Sequence, residues 1–442
     1  MIRTILASAL AASIAAPSVA AAAAPTTVID LGGSRGYVQT DPGTPLAAVQ
    51  LFVNAGLNRE TGTQNGLAAL VAELILRSPA PAPGSKQPIP LVDAITAHGG
   101  SLSYAVSSGY VRFNLQAAPE TLPAIAPLLA RVLAAPSYDP ATLAAARTAL
   151  TTRIASDEQD PRLVGLGMLR ASYYRDGSAL PVLGTPASLM ALSAADARAF
   201  HDRWYVRGNS YITAVGRTGD TSAAASRTLI AALPSTQAPP APALVTRPFN
   251  TEPRRLLTHR DVLSPYVVLG FAAPSLGDRD FAATLVVRSF LADVFVRPSA
   301  TTRPLALRGI GTIYGYDAVP AQFALWINGA LLDPSTGLGA LSALVKATGD
   351  KPLPQNILDR YKQSARGEWQ LEALSLEDRA WSIGNAVSQG LDPDTASTVE
   401  AAIAKVTSAD VQRVAKRYFQ KYDVALILPR TQGTGAGTGS GG

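Results

Sequence analysis

The sequence predicts an α+β fold built twice in tandem, each copy a mainly antiparallel sheet with helices packed on one face. Three observations predict it. In both halves, strand-length apolar segments precede clustered helix-length segments, the pattern of a sheet with segregated helices rather than of alternating βαβ units. Corresponding segments recur at an offset of 214 residues, and a proline-rich stretch divides the two runs.

Residues 1–24 read as a secretory leader: Arg3 gives a basic start, Ile5 to Ala16 an apolar core, and Ser18-Val19-Ala20 or Ala22-Ala23-Ala24 a small-residue cleavage site. With no Cys after the apolar run and no later stretch of the ~18 apolar residues a membrane span needs, the expected address is the periplasm, as an exported soluble protein. The first domain is expected over 25–233. Its early segment Leu51 to Gly56 is followed by the helix Gly66 to Arg77, paired strands Ser101 to Ser107 and Tyr110 to Gln116, helices Leu122 to Leu133, Pro140 to Ser156 and Ala194 to Tyr205, and a strand Ser210 to Val215. The prolines of 234–248 forbid helix and deny donors to a sheet, so a semi-rigid linker is expected there.

The second domain, 249–430, repeats the order: Pro265 to Gly270, then Asp280 to Ala283 opposite Gly66 to Ala69, strands Thr312 to Ala318 and Gln322 to Gly329, helices Leu338 to Thr348, Pro354 to Trp369 and Ser408 to Phe419, and a strand Val424 to Leu428. Ser193 with Asp196 and Thr407 with Asp410 give both copies the same helix start, a hydroxyl N-cap with an acid three residues on. Both helices close on aromatic pairs, Trp204-Tyr205 and Tyr418-Phe419. The run 431–442, rich in Gly and Thr, reads as a flexible tail.

Composition narrows the chemistry. A chain of 442 residues, 47% hydrophobic and 16% charged, exceeds what one core serves. The net charge of +6 is spread over scattered Lys and Arg without a basic block, which argues against nucleic acid. The absence of Cys excludes thiolate metal sites, redox pairs and a Cys nucleophile. The three histidines, His98, His201 and His259, lie beyond helical reach of one another and are each expected at the surface or in a loop. Neither a Gly-x-Ser-x-Gly elbow nor a phosphate-binding glycine loop entering a helix is present.

The segment Gly66-Leu-Ala-Ala-Leu-Val-Ala-Glu-Leu-Ile-Leu-Arg77 resembles the zinc-binding helix of the insulinase/pitrilysin-like peptidases, whose inverted motif His-x-x-Glu-His is entered through Gly-Leu-Ala. In that register the two His positions are Ala69 and Glu73, and the general-base position is Ala72. The family's third ligand, a Glu on a later helix, falls at Thr152-Arg153, just ahead of Asp157-Glu158-Gln159-Asp160-Pro161. Two imidazoles one turn apart hold Zn²⁺ while the Glu deprotonates its water; two alanines and one carboxylate do neither. An amphipathic helix with Glu73 at its wet edge is therefore expected.

The resemblance further implies substrate-binding roles for Arg308 and Tyr314, in Leu307-Arg308-Gly309-Ile310-Gly311-Thr312-Ile313-Tyr314-Gly315, as hydrogen-bond donors held over a partner's metal. The spacing from Arg308 to Tyr314 is about one residue shorter than the family's usual one, and Val294 to Pro298 replaces its Gly-Gly. Gly99-Gly100-Ser101-Leu102-Ser103-Tyr104 is similar to the family's glycine turn into an edge strand, which pairs with extended substrate. The expected function is that of a subunit without catalytic residues or cofactor, pairing with a zinc-bearing insulinase-like homologue and positioning peptide or unfolded substrate for it. The alternative is a stand-alone peptide-binding or scaffold protein.

Overall fold

The computed structural model describes residues 24–174, 179–236, 253–296, 307–317, 321–329 and 334–430. Nearly all of the expected leader, most of the expected linker and the whole of the expected tail lie outside these residues.

The first half runs β1 (Thr27–Asp30), β2 (Arg35–Thr40), β3 (Ala47–Val53), α1 (Leu67–Arg77), the short pair β4 (Pro79–Ala80) and β5 (Ile89–Pro90), α2 (Leu91–Ala97), β6 (Ser101–Val106), β7 (Val111–Ala117), α3 (Leu122–Ala134), α4 (Pro140–Asp157), α5 (Pro161–Tyr173), α6 (Pro186–Ala191), α7 (Ala194–Trp204), β8 (Ser210–Gly216) and α8 (Asp220–Ala232). The second half runs β9 (Arg255–Arg260), β10 (Tyr266–Ala273), α9 (Phe281–Val296), β11 (Leu307–Gly315), β12 (Ala321–Gly329), α10 (Pro334–Asp350), α11 (Gln355–Leu371), α12 (Leu376–Ser388), α13 (Thr395–Lys405), α14 (Ser408–Tyr418) and β13 (Asp423–Pro429). The strand expected at Thr312 to Ala318 begins five residues earlier and ends at Gly315. Helices α2, α5, α6, α8, α12 and α13 were not foreseen from the sequence.

The two halves share one topology. The first sheet is ordered β1-β2-β8-β3-β7-β6 and the second β11-β12-β10-β13-β9; matching β2 to β9, β3 to β10, β6 to β11, β7 to β12 and β8 to β13 makes the orders identical, with β1 the one addition. Each has a single parallel pair, β2 with β8 and β9 with β13, and is otherwise antiparallel. The 214-residue offset holds at the helices, from Leu67 to Phe281 and from Ala194–Trp204 to Ser408–Tyr418. It fails at the central strands, because β3 and β10 are displaced from it by about five positions. Both capping boxes form as read: Ser193 Oγ accepts from Asp196 N at 3.1 Å and Thr407 Oγ1 from Asp410 N at 3.2 Å.

Each half packs its own helices on one face of its sheet. Val49, Leu51 and Val53 of β3 share the first core with α1, and Val267, Leu269 and Phe271 of β10 share the second with α9. The opposite faces are covered reciprocally. Helix α5 of the first half lies on the second sheet, seating Leu169 against Val268, Ala324, Ala425 and Ile427. Helix α12 of the second half lies on the first sheet, placing Ala380 and Ile383 among Phe52, Tyr110, Tyr211 and Val215. A strand such as β3, buried at every position, is what this two-sided cover requires.

Candidate functional site

Helix α1 is entered through a glycine, as the resemblance implies. Gly66 precedes it at φ +92°, a left-handed conformation favouring glycine, and a Cβ there would come within 2.9 Å of the Gly184 Cα. The first turn is capped by Glu60, a residue sequence reasoning missed. Its carboxylate accepts from Gly66 N at 2.9 Å, Ala68 N at 2.7 Å and Asn65 Nδ2 at 3.4 Å. No cation pairs with it among the contacts described, and burial pushes its pKa up to about 7 against the lowering effect of those donors. An acid just ahead of an apolar, glycine-entered helix is the signal that could have found it.

The ligand positions themselves are filled by packing. Ala69 and Ala72 are fully buried with their methyl groups in the first core. Glu73 does not lie at a wet edge as expected. It is buried, and its Oε1 accepts from Arg77 Nε at 2.7 Å, a partner one turn on that compensates the buried charge. Thr152 and Arg153 are exposed on α4, the Thr152 hydroxyl donating to Thr148 O at 2.9 Å.

Tyr104 of β6 completes the cluster. The Arg153 guanidinium stands 5.9 Å from the centre of its ring, while its hydroxyl is buried without a hydrogen-bond partner. Burial, and then the charge of Glu73, raise its pKa. Among the described residues no three His, Cys, Asp or Glu side chains converge to hold a metal ion. One carboxylate tied to an arginine, two methyl groups and a guanidinium do not fit Zn²⁺.

The other candidates fall elsewhere. Among the described residues strand β6 is an edge strand, paired only with β7 and entered through Gly99 at φ +83°, so its outer row of backbone groups is unpaired by the described sheet. Strand β11 is the corresponding edge of the second sheet, and its register skips Arg308 between Leu307 and Gly309. The Arg308 side chain lies outside the described residues. Tyr314 faces the second core rather than a cleft. Its ring packs on Phe281, Tyr316 and Phe323 at 5.2, 5.5 and 5.9 Å, its hydroxyl donates to the Pro274 carbonyl, and burial holds its pKa well above the ordinary phenol value. The Tyr314 hydroxyl therefore has a partner within the fold. Gly309 and Gly311 have a packing reason of their own, since a Cβ at either would come within 3.2 or 2.6 Å of the Trp326 indole.

The histidines bring one more correction. His259 is exposed and His98 half-buried, but His201 is buried on α7, with Nε2 2.9 Å from the Leu133 carbonyl. Its burial lowers its pKa and favours the neutral ring.

Residues 37–186 match the family model described as Insulinase (Peptidase family M16), and residues 191–307 match the one described as Peptidase M16 inactive domain. An uncharacterized zinc protease of Mycobacterium tuberculosis is 26% identical over 261 residues, a match covering 58% of this chain and 59% of that protein's length. A protease from Helicobacter pylori superposes with a TM-score of 0.80 at 15% identity, covering 92% of this chain and 100% of the other. A structure described as a peptidase M16 inactive domain from Pseudomonas fluorescens gives 0.76 at 17%, covering 92% and 98%. With two halves of one topology and a zinc-type helix entered through Gly66 but lacking its ligands, the chain belongs to the insulinase family of peptidases, family M16.

Proposed function

We propose that this chain is the non-catalytic subunit of an exported, periplasmic zinc peptidase, binding and positioning peptide for a zinc-bearing homologous partner. One observation carries the reading: the glycine-entered helix α1, which resembles the family's zinc-binding helix, holds buried Ala69, buried Ala72 and the Arg77-paired Glu73 at the ligand positions. No cofactor is assigned to this chain; zinc belongs to the partner. Peptide is held along the free edge of β6 through main-chain groups, a mode that needs no catalytic side chain. Arg308 donates to the substrate over the partner's metal. Tyr314 serves substrate binding indirectly, holding β11 through its bond to Pro274. Because the β6 edge also works without a partner, a stand-alone peptide-binding or scaffold protein is the second reading.

The test is co-purification from the native compartment followed by metal analysis of both chains. A zinc-bearing homologue in stoichiometric complex, with no zinc on this chain, supports the reading. One-to-one zinc on this chain, or chelator-sensitive hydrolysis by it alone, overturns it. Within the complex, Arg308→Ala is expected to lower kcat/KM about 10-fold to 1,000-fold with assembly and partner zinc intact, the size of a lost positioning donor. Tyr314→Phe is expected to cost less activity and to show mainly as lost stability.

A further inference from the structure

A groove of about 450 Å³ opens where the two halves meet, between α5 and the edge of the second sheet. Leu163, Leu166 and Gly167 of α5 face it from one half, Ile313 and Ala324 from the other. Its size lies in the range of ligand pockets, about 300–1,000 Å³. Leu163 and Ile313 remain 43% and 37% exposed, so apolar surface is left in water on both walls.

The charges of the groove run against those of the chain. Among the described residues its lining includes the carboxylates of Asp157, Glu158 and Asp317 and a single guanidinium, Arg170, in a protein whose net charge is +6. Arg170 is turned to neighbours within the protein, its Nη2 donating to Ser108 Oγ at 2.8 Å and its guanidinium lying 5.5 Å from the Tyr174 ring centre. Asp317 accepts from Ser107 Oγ at 2.8 Å, fastening the end of β6 beside the end of β11. An apolar trough with an acidic lining selects a partner that is apolar and cationic together.

We propose that this groove holds a peptide segment in which an apolar side chain sits next to basic residues, the apolar group between α5 and Ile313 and the cations against Asp157 and Glu158. The proposal rests on the peptide-holding reading above and names the peptide class.

Gly167 supplies a plug. It lines the groove, and a Cβ added there meets nothing within 4 Å, so Gly167→Phe fills the trough without a clash at its own Cβ and leaves the α5 backbone a better helix former. Fluorescence anisotropy is measured on the full-length chain without partner, using a labelled nonapeptide centred on Leu-Arg-Arg and two controls, Leu replaced by Ser and both Arg by Glu. The Leu-Arg-Arg peptide is expected to bind at least 10-fold tighter than either control and to lose at least 10-fold in Gly167→Phe, with Tm unchanged or raised. Joint reversal by Asp157→Lys and Glu158→Lys should shift the preference to the Glu peptide.

Equal affinity for all three peptides, or unchanged binding in the plugged chain, overturns the proposal. Self-association abolished by the plug overturns it too and gives the groove to a second copy. Failure here is distinguishable from failure of the subunit reading: a native complex that cleaves peptide with KM unchanged by the plug sinks only the groove, whereas absence of any zinc-bearing partner sinks only the subunit reading.

Discussion

Helices α5 and α12 occupy the same place in the two halves, yet each seats itself on the other half's sheet with different chemistry. Under α5 the contact is mainly apolar: Leu169 packs against Val268 and Ile427, with polar bonds at one end from Ser172 Oγ to Asp423 Oδ2 at 2.6 Å and from Tyr173 Oη to Ala321 O at 3.2 Å. Under α12 it is aromatic at one end and polar at the other. Tyr211 Oη donates to Gly384 O at 2.9 Å and Trp381 Nε1 to Tyr110 Oη at 2.8 Å. Glu377 gathers Arg112 at 3.0 Å and Asn114 at 3.1 Å, and its carbonyl takes Gln50 Nε2 at 2.8 Å. Beside them Gln50 Oε1, Arg112 Nε and Nη1, and Thr213 Oγ1 are buried without a protein partner. Duplication preserved the geometry of the clasp and left its energetics free to diverge, because any helix face complementary to the sheet closes it.

The largest effect should come from the apolar clasp. Leu169→Ala removes a fully buried side chain and is expected to cost about 2–5 kcal/mol, little changed by salt, in denaturant melts. Gly384→Val attacks the other clasp by overpacking, since a Cβ at 384 would stand 2.1–2.8 Å from the Phe52 ring. A loss of about 1–3 kcal/mol is expected, with tryptophan emission reporting a moved Trp381. Unchanged emission and stability would mean that α12 is not seated as described.

Glu377→Ala should cost less, about 1–2 kcal/mol, because the carboxylate is partly exposed. Raising salt should shrink the wild-type advantage over this variant. If Leu169→Ala proves the salt-sensitive one instead, the division between a dry and a polar clasp is wrong.

The smallest effect distinguishes the helices α1 and α9. Both begin beside a buried carboxylate: Asp280, fully buried, meets Arg413 at 2.7 Å and Arg417 at 3.3 Å, whereas Glu60 meets only neutral donors. With its folded pKa raised to about 7 from 4.5, Glu60 ionises in the unfolded chain first. Its contribution is therefore full below about pH 4.5 and lost as pH rises toward 7. Glu60→Gln should flatten that descent in melts from pH 4 to 8 while lowering stability throughout, and an unaltered slope would remove Glu60 as its source.

Much of the fold was legible because local signals agreed with it. The alternation in Ser101 to Ser107, the capping pairs Ser193/Asp196 and Thr407/Asp410, and the Pro-started helix at Pro140 each fix a backbone choice within a few residues. Helices α5 and α12 were not legible. Their apolar residues match sheets far away in the chain, and each carries a glycine, Gly165 or Gly384, that reads as a breaker but serves close approach to Val268 or Phe52. Of the site, the missing ligands at Ala69, Ala72 and Glu73 were plain in the sequence. The burial of Glu73 and His201, the cap from Glu60 and the inward turn of Tyr314 depend on who the neighbours are in space, which spacing along one chain does not disclose.

The reciprocal clasp also bears on how the chain is made. When β8 is complete, Phe52, Tyr211 and Val215 lack their cover, and α12 ends about 170 residues later. A chain that emerges N-terminus first therefore keeps an aromatic face of the first sheet bare until α12 follows. A chain cut between its halves after folding should stay together, each piece holding the other's lid. The same cut made before synthesis should yield two fragments that each aggregate alone and become soluble only when produced together.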